Sequence, residues 1–579
     1  MLAYVFYGSF LAKLFRLDRN ATTPAVELND GVDYVPIDSK FLMGQHFSAI
    51  AAAGPIVGPI LAGVMFGWVP ALIWIMVGCI LIGGVHDMAA LVASIRHKAR
   101  SIAEVVREHM SNRSFLLFLA FVWIALVYII VAFTDIVASS FVGRQTLENG
   151  VTVSGGGIAM SSLLYLALPI MMGLLLRFTK LTLKWATVIF LPLVGVAIWA
   201  GQHASLDLAG AFGITDPQAQ KLWDVIILVY CFVASIVPMW ILLQPRGHLG
   251  GYFLFFALIG GLLGVVFGGK TIQYPAFSEQ VWHSAAGQPL FPILFITIAC
   301  GACSGFHALV ASGTTSKQLR TEQDAKPIGY GMMLLEGMVA VVSLACVMML
   351  SKETAVRLSG QPNYIYAQGM GSFLEVIRIP AAFGISFGLL AFTTFVYDTL
   401  DVSARLGRYI LQELTGWQST VGKIFATALT AGVPLFFVTQ TVLGPGGEPI
   451  PAWKRFWPLF GASNQLLAAL TLIGVTVWLY RTRRARWVWF VTGLPTVFMY
   501  VMSTWALLEF IKAGFFTQGW QFKGVTSDPV PWAALVLVIL ALVLLVEAFR
   551  VIFKATPSPE AKLGIAPAPV ADPPEQAQG

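Results

Sequence analysis

The chain has 579 residues, 57% of them hydrophobic and only 11% charged, where a soluble protein carries about 25% charged residues. That balance excludes a protein surrounded by water. The net charge of +7 does not point to nucleic acid either, because the Lys and Arg gather in short connections such as "RHKAR" (96–100), "RFTKLTLK" (177–184) and "RTRRAR" (481–486), the pattern that orients membrane helices.

About fifteen apolar runs approach the roughly 20 residues that cross a bilayer as a helix. They lie near 2–15, 47–66, 69–96, 115–142, 158–176, 185–203, 223–243, 251–269, 290–313, 328–350, 376–400, 421–443, 456–479, 487–512 and 531–552. A β-barrel would show short alternating segments instead, so the expected fold is all-α and polytopic. With the basic loops inside, the N-terminus is outside and the C-terminus cytoplasmic. The run at 2–15 is short for a span and suits an interfacial helix. The last 25 residues, 555–579, are rich in Pro and Ala and read as a disordered cytoplasmic tail. All five cysteines lie within spans. "CGAC" (300–303) has CxxC spacing, but in a run of small residues packing is the better reading.

"GVVFGGKT" (264–271) fits the letters of a phosphate-binding loop, which requires a strand before it and a soluble helix after it. Here a glycine-laced apolar span precedes the motif and the polar loop "IQYPAFSEQ" follows. No nucleotide partner is expected, and no soluble catalytic domain is visible, so the chain does not read as an enzyme.

The informative places are those where a span carries what lipid disfavours. In "AIAAAGPIVGPILAG" (49–63), Pro55 and Pro59 each remove a backbone donor, and Gly54 and Gly58 loosen the helix around Val57. Non-helical backbone is tolerated at membrane depth only where protein or a water-filled cavity satisfies it, and transporters use such breaks to hold ions and anions. A kinked packing helix is the plainer alternative. Pro238 in "VASIVPMW" (233–240) interrupts another span. In "IACGACSGFHALVASGTTSKQL" (298–319), Ser304, Gly305 and His307 stand beside the hydroxyls of Ser312, Thr314 and Thr315, which otherwise suit helix termination. His86, Asp87, Asp135, His307, Glu336 and Asp398 are ionisable groups in apolar surroundings, each costly in lipid and so a functional candidate. Several titratable groups at one depth suit a proton relay. His46 stands at an interface, where it could cap. His46, His86 and His307 are also conceivable ligands of a metal or haem, though no c-type haem motif is present.

Counting the span at 47–66 as the first of a set makes the Pro238 span sixth and 290–313 eighth. That order matches the LeuT-type five-plus-five inverted-repeat core, whose first and sixth helices unwind around substrate. The repeats would be about 47–203 and 223–400 within a core at 47–400, preceded by a short helix and cytoplasmic segment (1–46) and followed by further helices at 401–554. By the same analogy a cation site would join Gly54–Val57 to Ser312, Thr314 and Thr315.

"NDGVDYVPIDSKFLMGQHFSAIAAAGPIVGPILAG", "FPILFITIACGACSGFHALVASGTTSKQL" and "FWPLFGASNQLLAAL" closely resemble the carbon starvation protein A family, from about residue 4 to about residue 480. Gln45–Pro59 matches a family segment with His46 and both Gly-Pro pairs kept. Ser304–Leu309 and Ser312–Lys317 match two others, with Ser316 in place of a proline, and Asp87 matches a family aspartate. His86 stands where the family often has glutamine, and 351–410 departs more. The resemblance implies a bacterial inner-membrane transporter with a LeuT-type core and an association with peptide and pyruvate uptake. The expected function is secondary active import of a pyruvate-like carboxylate or short peptides, coupled to H⁺ or Na⁺, with no other cofactor. Gly54, Pro55, Val57, Gly58, Pro59, Pro238, Ser304, Gly305 and His307 would line the substrate. A redox or sensing protein with histidine-bound metal or haem is the alternative.

Overall fold

A computed structural model describes residues 1–31, 34–147, 150–443, 448–483, 485–517 and 520–554; the tail at 555–579 lies outside them. Each expected apolar run falls mainly on helix. Among the described residues twelve helices are long and apolar enough to cross a membrane, and the bent pair Ser39–Ile50 and Gly54–Phe66 is a further candidate. Leu2–Leu14 is shorter. The segment Leu290–Thr297 and Gly305–Val310, continued by Ala311–Thr315, is interrupted.

Two long helices form the centre. Asn112–Ser140 packs along Ala381–Thr415, and both pack on neighbours around them. Ala452–Arg483 is buried across its whole apolar window, because it fills the space between Asn112–Ser140 and the second interrupted segment. Such a helix can carry Asn and Gln, since protein groups surround it where a lipid-facing helix would meet hydrocarbon. Two small antiparallel pairs, Arg144–Thr146 with Thr152–Ser154 and Val442–Leu443 with Pro449–Ile450, are the strands among the described residues.

Three expectations change at the breaks. The first span begins earlier than 47: its helix starts at Ser39, where the Asp38 side chain accepts from the Lys40 amide. It bends by 46° across Ala51–Ala53, ahead of Pro55, while Pro59 sits inside the second half. Pro238 does not interrupt a span. It lies in the connection between Asp216–Ile236 and Leu243–Phe267, where Arg405 Nη2 donates to the carbonyls of Ala234 at 2.8 Å and Val237 at 2.6 Å. The second broken helix is instead 290–315, expected as continuous, so the interrupted helices are the first and eighth of the set, not the first and sixth. The helix Ala381–Thr415 also runs through position 400, so the expected division there falls inside one helix.

Gly264 lies within the helix Leu243–Phe267, and Lys270 forms an exposed 3.8 Å ion pair with Glu375, which removes the phosphate-loop reading. Backbone bridges join Thr22 to Thr321 and Ile37 to Leu319, bringing together segments that the charge pattern assigns to the same side.

Candidate functional site

The two breaks pack against each other. A Cβ on Gly54 would come within 2.4 Å of Cys300 Cβ and Sγ, and one on Gly58 within 2.5 Å of the Thr297 carbonyl oxygen. The glycines are therefore required for close approach. The opened backbone at 298–304 is satisfied by protein. Gln465 Nε2 donates to the Phe295 carbonyl at 2.5 Å, Trp74 Nε1 to that of Ile298 at 3.2 Å, and the Phe306 amide to Asn464 Oδ1 at 2.9 Å. Asn464 Nδ2 also donates to Ser304 Oγ at 3.0 Å. Asn464 and Gln465 belong to "FWPLFGASNQLLAAL", and nothing in their spacing pointed to the break. Two adjacent amides in an apolar span were the only available signal.

Beside this junction four of the expected residues meet. His86 Nδ1 lies 2.7 Å from Asp87 Oδ1, and His307 Nδ1 lies 2.7 Å from Asp87 Oδ2. His307 Nε2 lies 3.1 Å from Glu336 Oε2. All four side chains are fully buried. An ionised Asp87 accepts from both imidazoles, which places a proton on each Nδ1. With one further proton on either His307 Nε2 or Glu336, which face each other as an ion pair, the group carries a net charge of −1. One more proton neutralises it, and burial favours the neutral form. The arrangement joins three helices through one buried line of ionisable groups.

The other expected residues lie elsewhere. His46 is not an interfacial cap: it is buried within Ser39–Ile50, its Nδ1 2.8 Å from Thr315 Oγ1. Ser312 donates to the Ala308 carbonyl at 2.7 Å and accepts from the Ile102 amide at 3.3 Å; Thr314 donates to Val310 at 3.0 Å. These hydroxyls bond to His46, the Ile102 amide and carbonyls of their own helix, while the Cα–H faces of Gly54 and Gly58 pack on Thr297–Cys300. Asp135 is separate, accepting from Gln220 Nε2 at 2.8 Å and the Trp453 amide at 2.7 Å.

Asp398 pairs with a residue missed in the sequence, Arg246, which is 1% exposed. Arg246 Nε lies 2.6 Å from Asp398 Oδ1, and its Nη1 contacts Asp401 and the Tyr230 hydroxyl. Ser48 Oγ donates to Asp398 Oδ2 at 2.6 Å. Arg246 escaped notice because it sits at a span's polar edge, in "QPRGH". Only tertiary packing buries it.

Asp398 borders a cavity of about 40 Å³ that His46, Ser48 and Thr314 also line. Gln45, Gln244 and Gln318 border both this cavity and an adjoining one of about 360 Å³ that includes Arg177 and His248. The inner cavity has room for a few water molecules.

His46, His86 and His307 do not converge as ligands, because Asp87 separates the last two and Thr315 holds the first. The converging group among the described residues is His97, Glu108 and His109, at the end of the helices rather than within them. His97 Nδ1 is 2.6 Å from the Ala93 carbonyl and its Nε2 is 2.8 Å from His109 Nε2. Burial lowers both imidazoles, His109 to about 3. The cysteines are all free and buried.

Two interrupted helices packed against each other lie within a bundle of membrane-length helices, an all-α polytopic membrane protein whose likeness to a solved transporter, and not the order of its breaks, gives it a LeuT-type fold. A solved manganese transporter of Eremococcus coleocola shares this fold with a TM-score of 0.51 at 12% identity, over 91% of this chain and 98% of that one; at that identity the likeness shows the fold alone. The family described as carbon starvation protein CstA matches residues 1–365 and 351–506, and the chain belongs to that family. The peptide transporter CstA of Helicobacter pylori (strain ATCC 700392 / 26695) is 33% identical over 86% of this chain and 78% of its own length. The pyruvate/proton symporter BtsT of Escherichia coli (strain K12) is 30% identical over 90% and 82%. Both of these relatives are named as transporters.

Proposed function

We propose that this chain imports a small carboxylate such as pyruvate, or short peptides, across the bacterial inner membrane, driven by protons. The observation that carries the reading is the fully buried line His86–Asp87–His307–Glu336, whose charge one proton neutralises and which joins the second broken helix to two of its neighbours. The relatives named for peptides and for pyruvate with protons supply the substrate classes. Sodium is the weaker driver, because the hydroxyls that would bind it are engaged with His46, Ile102 and helix carbonyls. In this reading the N-terminus is outside, and the basic connections and the larger cavity with Arg177 face the cytoplasm.

The test is uptake of labelled pyruvate and labelled dialanine into proteoliposomes, with a pH gradient or a sodium gradient imposed separately. Accumulation that follows the pH gradient supports proton coupling. Accumulation that needs sodium and ignores pH overturns it, and no flux of either solute overturns the transport of these substrates.

A further inference from the structure

Arg246 is an unusual group to find fully buried in a membrane protein. An intramembrane cation is expensive unless paired and generally marks a substrate or ion path. Its guanidinium is held on one side by Asp401 and Tyr230, which are themselves joined by a 2.7 Å bond from the Tyr230 hydroxyl to Asp401 Oδ2. The rings of Tyr397 and Tyr230 flank it, with centroids 5.5 and 5.9 Å from Cζ. On this half every contact to the guanidinium comes from protein side chains. On the other side stands Asp398, the member of the group that borders the inner cavity. Arg246 Nη2 and the Tyr165 hydroxyl have no hydrogen-bond partner among the described residues, although both are buried. A guanidinium offers a planar fork matched to a carboxylate, and here one carboxylate, that of Asp398, lies between the fork and the cavity.

We propose that Arg246 is the anchor for a carboxylate on the transported molecule, that Asp398 occupies this anchor when the site is empty, and that an entering carboxylate displaces Asp398 as Asp398 takes up a proton. This rests on the transporter reading above and adds to it the chemical group recognised. Arg246 contributes +1 and Asp398 and Asp401 −1 each, so the empty group carries −1. A bound carboxylate adds −1, and protonation of Asp398 adds +1, so the total is unchanged. Without that proton the buried group would hold −2, which the low-dielectric surroundings oppose. The proton comes from the water of the cavity and forms the O–H of the Asp398 carboxylic acid; no other bond changes. Ser48 and Tyr165 are placed beside the displaced acid, and the charged or titratable groups around it are Arg246, Asp401, Tyr165 and Tyr230, with Arg405 beyond Asp401 and His46 across the cavity. The three glutamines at the mouth are uncharged and pass an anion without trapping it. A free carboxylate is common to pyruvate and to a peptide's C-terminus, so one anchor serves both substrate classes.

The experiment is competition and exchange in proteoliposomes holding the full chain. Labelled pyruvate exchange is measured against unlabelled pyruvate, methyl pyruvate, dialanine and dialanine amide, in wild type and in Asp398→Asn, from acid to alkaline pH. The expected result is that the ester and the amide compete about a hundredfold more weakly than the acids, or worse, the penalty for a partner group left unpaired. Wild-type exchange rises toward acid pH, and the rise in Asp398→Asn is smaller by the part that Asp398 contributes, while the His86–Asp87–His307–Glu336 line keeps its own. Ester and amide that compete as well as the acids overturn the anchor while leaving transport intact. An acid-stimulated rise as large in Asp398→Asn as in wild type overturns the displaced proton site. Absence of exchange of every solute in wild type removes the transporter reading, and the anchor with it. The competition arm uses only the wild-type protein, so it stands even if the variant does not fold.

Discussion

His307 Nδ1 stands 2.7 Å from Asp87 Oδ2, across 220 positions of chain. His307 belongs to the helix that resumes after the second break, so the carboxylate on a neighbouring continuous helix fixes both its rotamer and its proton. Any movement of Gly305–Val310 against Gly84–Arg96 must break or remake this bond. The contact is thereby linked to the geometry of the break.

Replacing Asp87 by Asn is expected to abolish uptake driven by a pH gradient, and Glu336→Gln to weaken it less, since the amide keeps the shape and His307 keeps Asp87. Removing one partner of a buried charged pair costs about 3–5 kcal/mol, so Asp87→Asn should also melt at a lower temperature in detergent. Proteoliposome uptake and a thermal melt measure the two effects together. Undiminished pH-driven uptake in Asp87→Asn would show that the buried line has no part in coupling.

The packing of the breaks predicts an asymmetry between two glycines. Gly58→Ala sets a methyl against the Thr297 backbone carbonyl at 2.5 Å, and the backbone cannot yield cheaply. Gly54→Ala meets the Cys300 side chain at 2.4 Å, which a second substitution can remove. Overpacking costs about 1–3 kcal/mol. Cys300→Gly should restore most of the stability lost in Gly54→Ala and none of that lost in Gly58→Ala, as read from melting temperatures of the single and double variants.

Asn464→Ala removes the acceptor of the Phe306 amide and the donor to Ser304 at once. Each buried group left unpaired costs about 1–3 kcal/mol. The variant should therefore be less stable than Thr471→Ala in the same buried helix, and its uptake rate should fall along with its stability. Equal melting temperatures would mean that water or another group closes the break.

The pair His97 and His109 sets an acid limit on stability. Burial lowers both groups, His109 to about 3, so the unfolded chain takes up protons first as pH falls. Their contribution is complete above the ordinary histidine value of about 6.5 and is lost progressively below it. At pH 5 the loss from His109 is about 2 kcal/mol at most. The melting temperature in detergent should drop between pH 7.5 and 5, and the drop should be smaller in His109→Gln. The same slope in both proteins would assign the acid sensitivity elsewhere.

The sequence by itself determined that this is a bundle of membrane-length helices, because hydrocarbon requires continuous apolar runs and internal hydrogen bonding, and both can be read from local composition. It also marked the Gly-Pro break and the costly ionisable residues, since each violates that local rule. It did not determine which of those residues meet. His86, Asp87, His307 and Glu336 come from three separate stretches, and only the crossing of their helices brings them into line. The second break was hidden because "IACGACSG" is as apolar and small as a packing helix. What opens it is hydrogen bonding from Asn464 and Gln465, over 150 positions away. Arg246 looked like a residue at a span's edge until Asp398 and Asp401 enclosed it. A charge's cost depends on everything around it in space, and that environment is a property of the folded bundle, not of its neighbours along the chain.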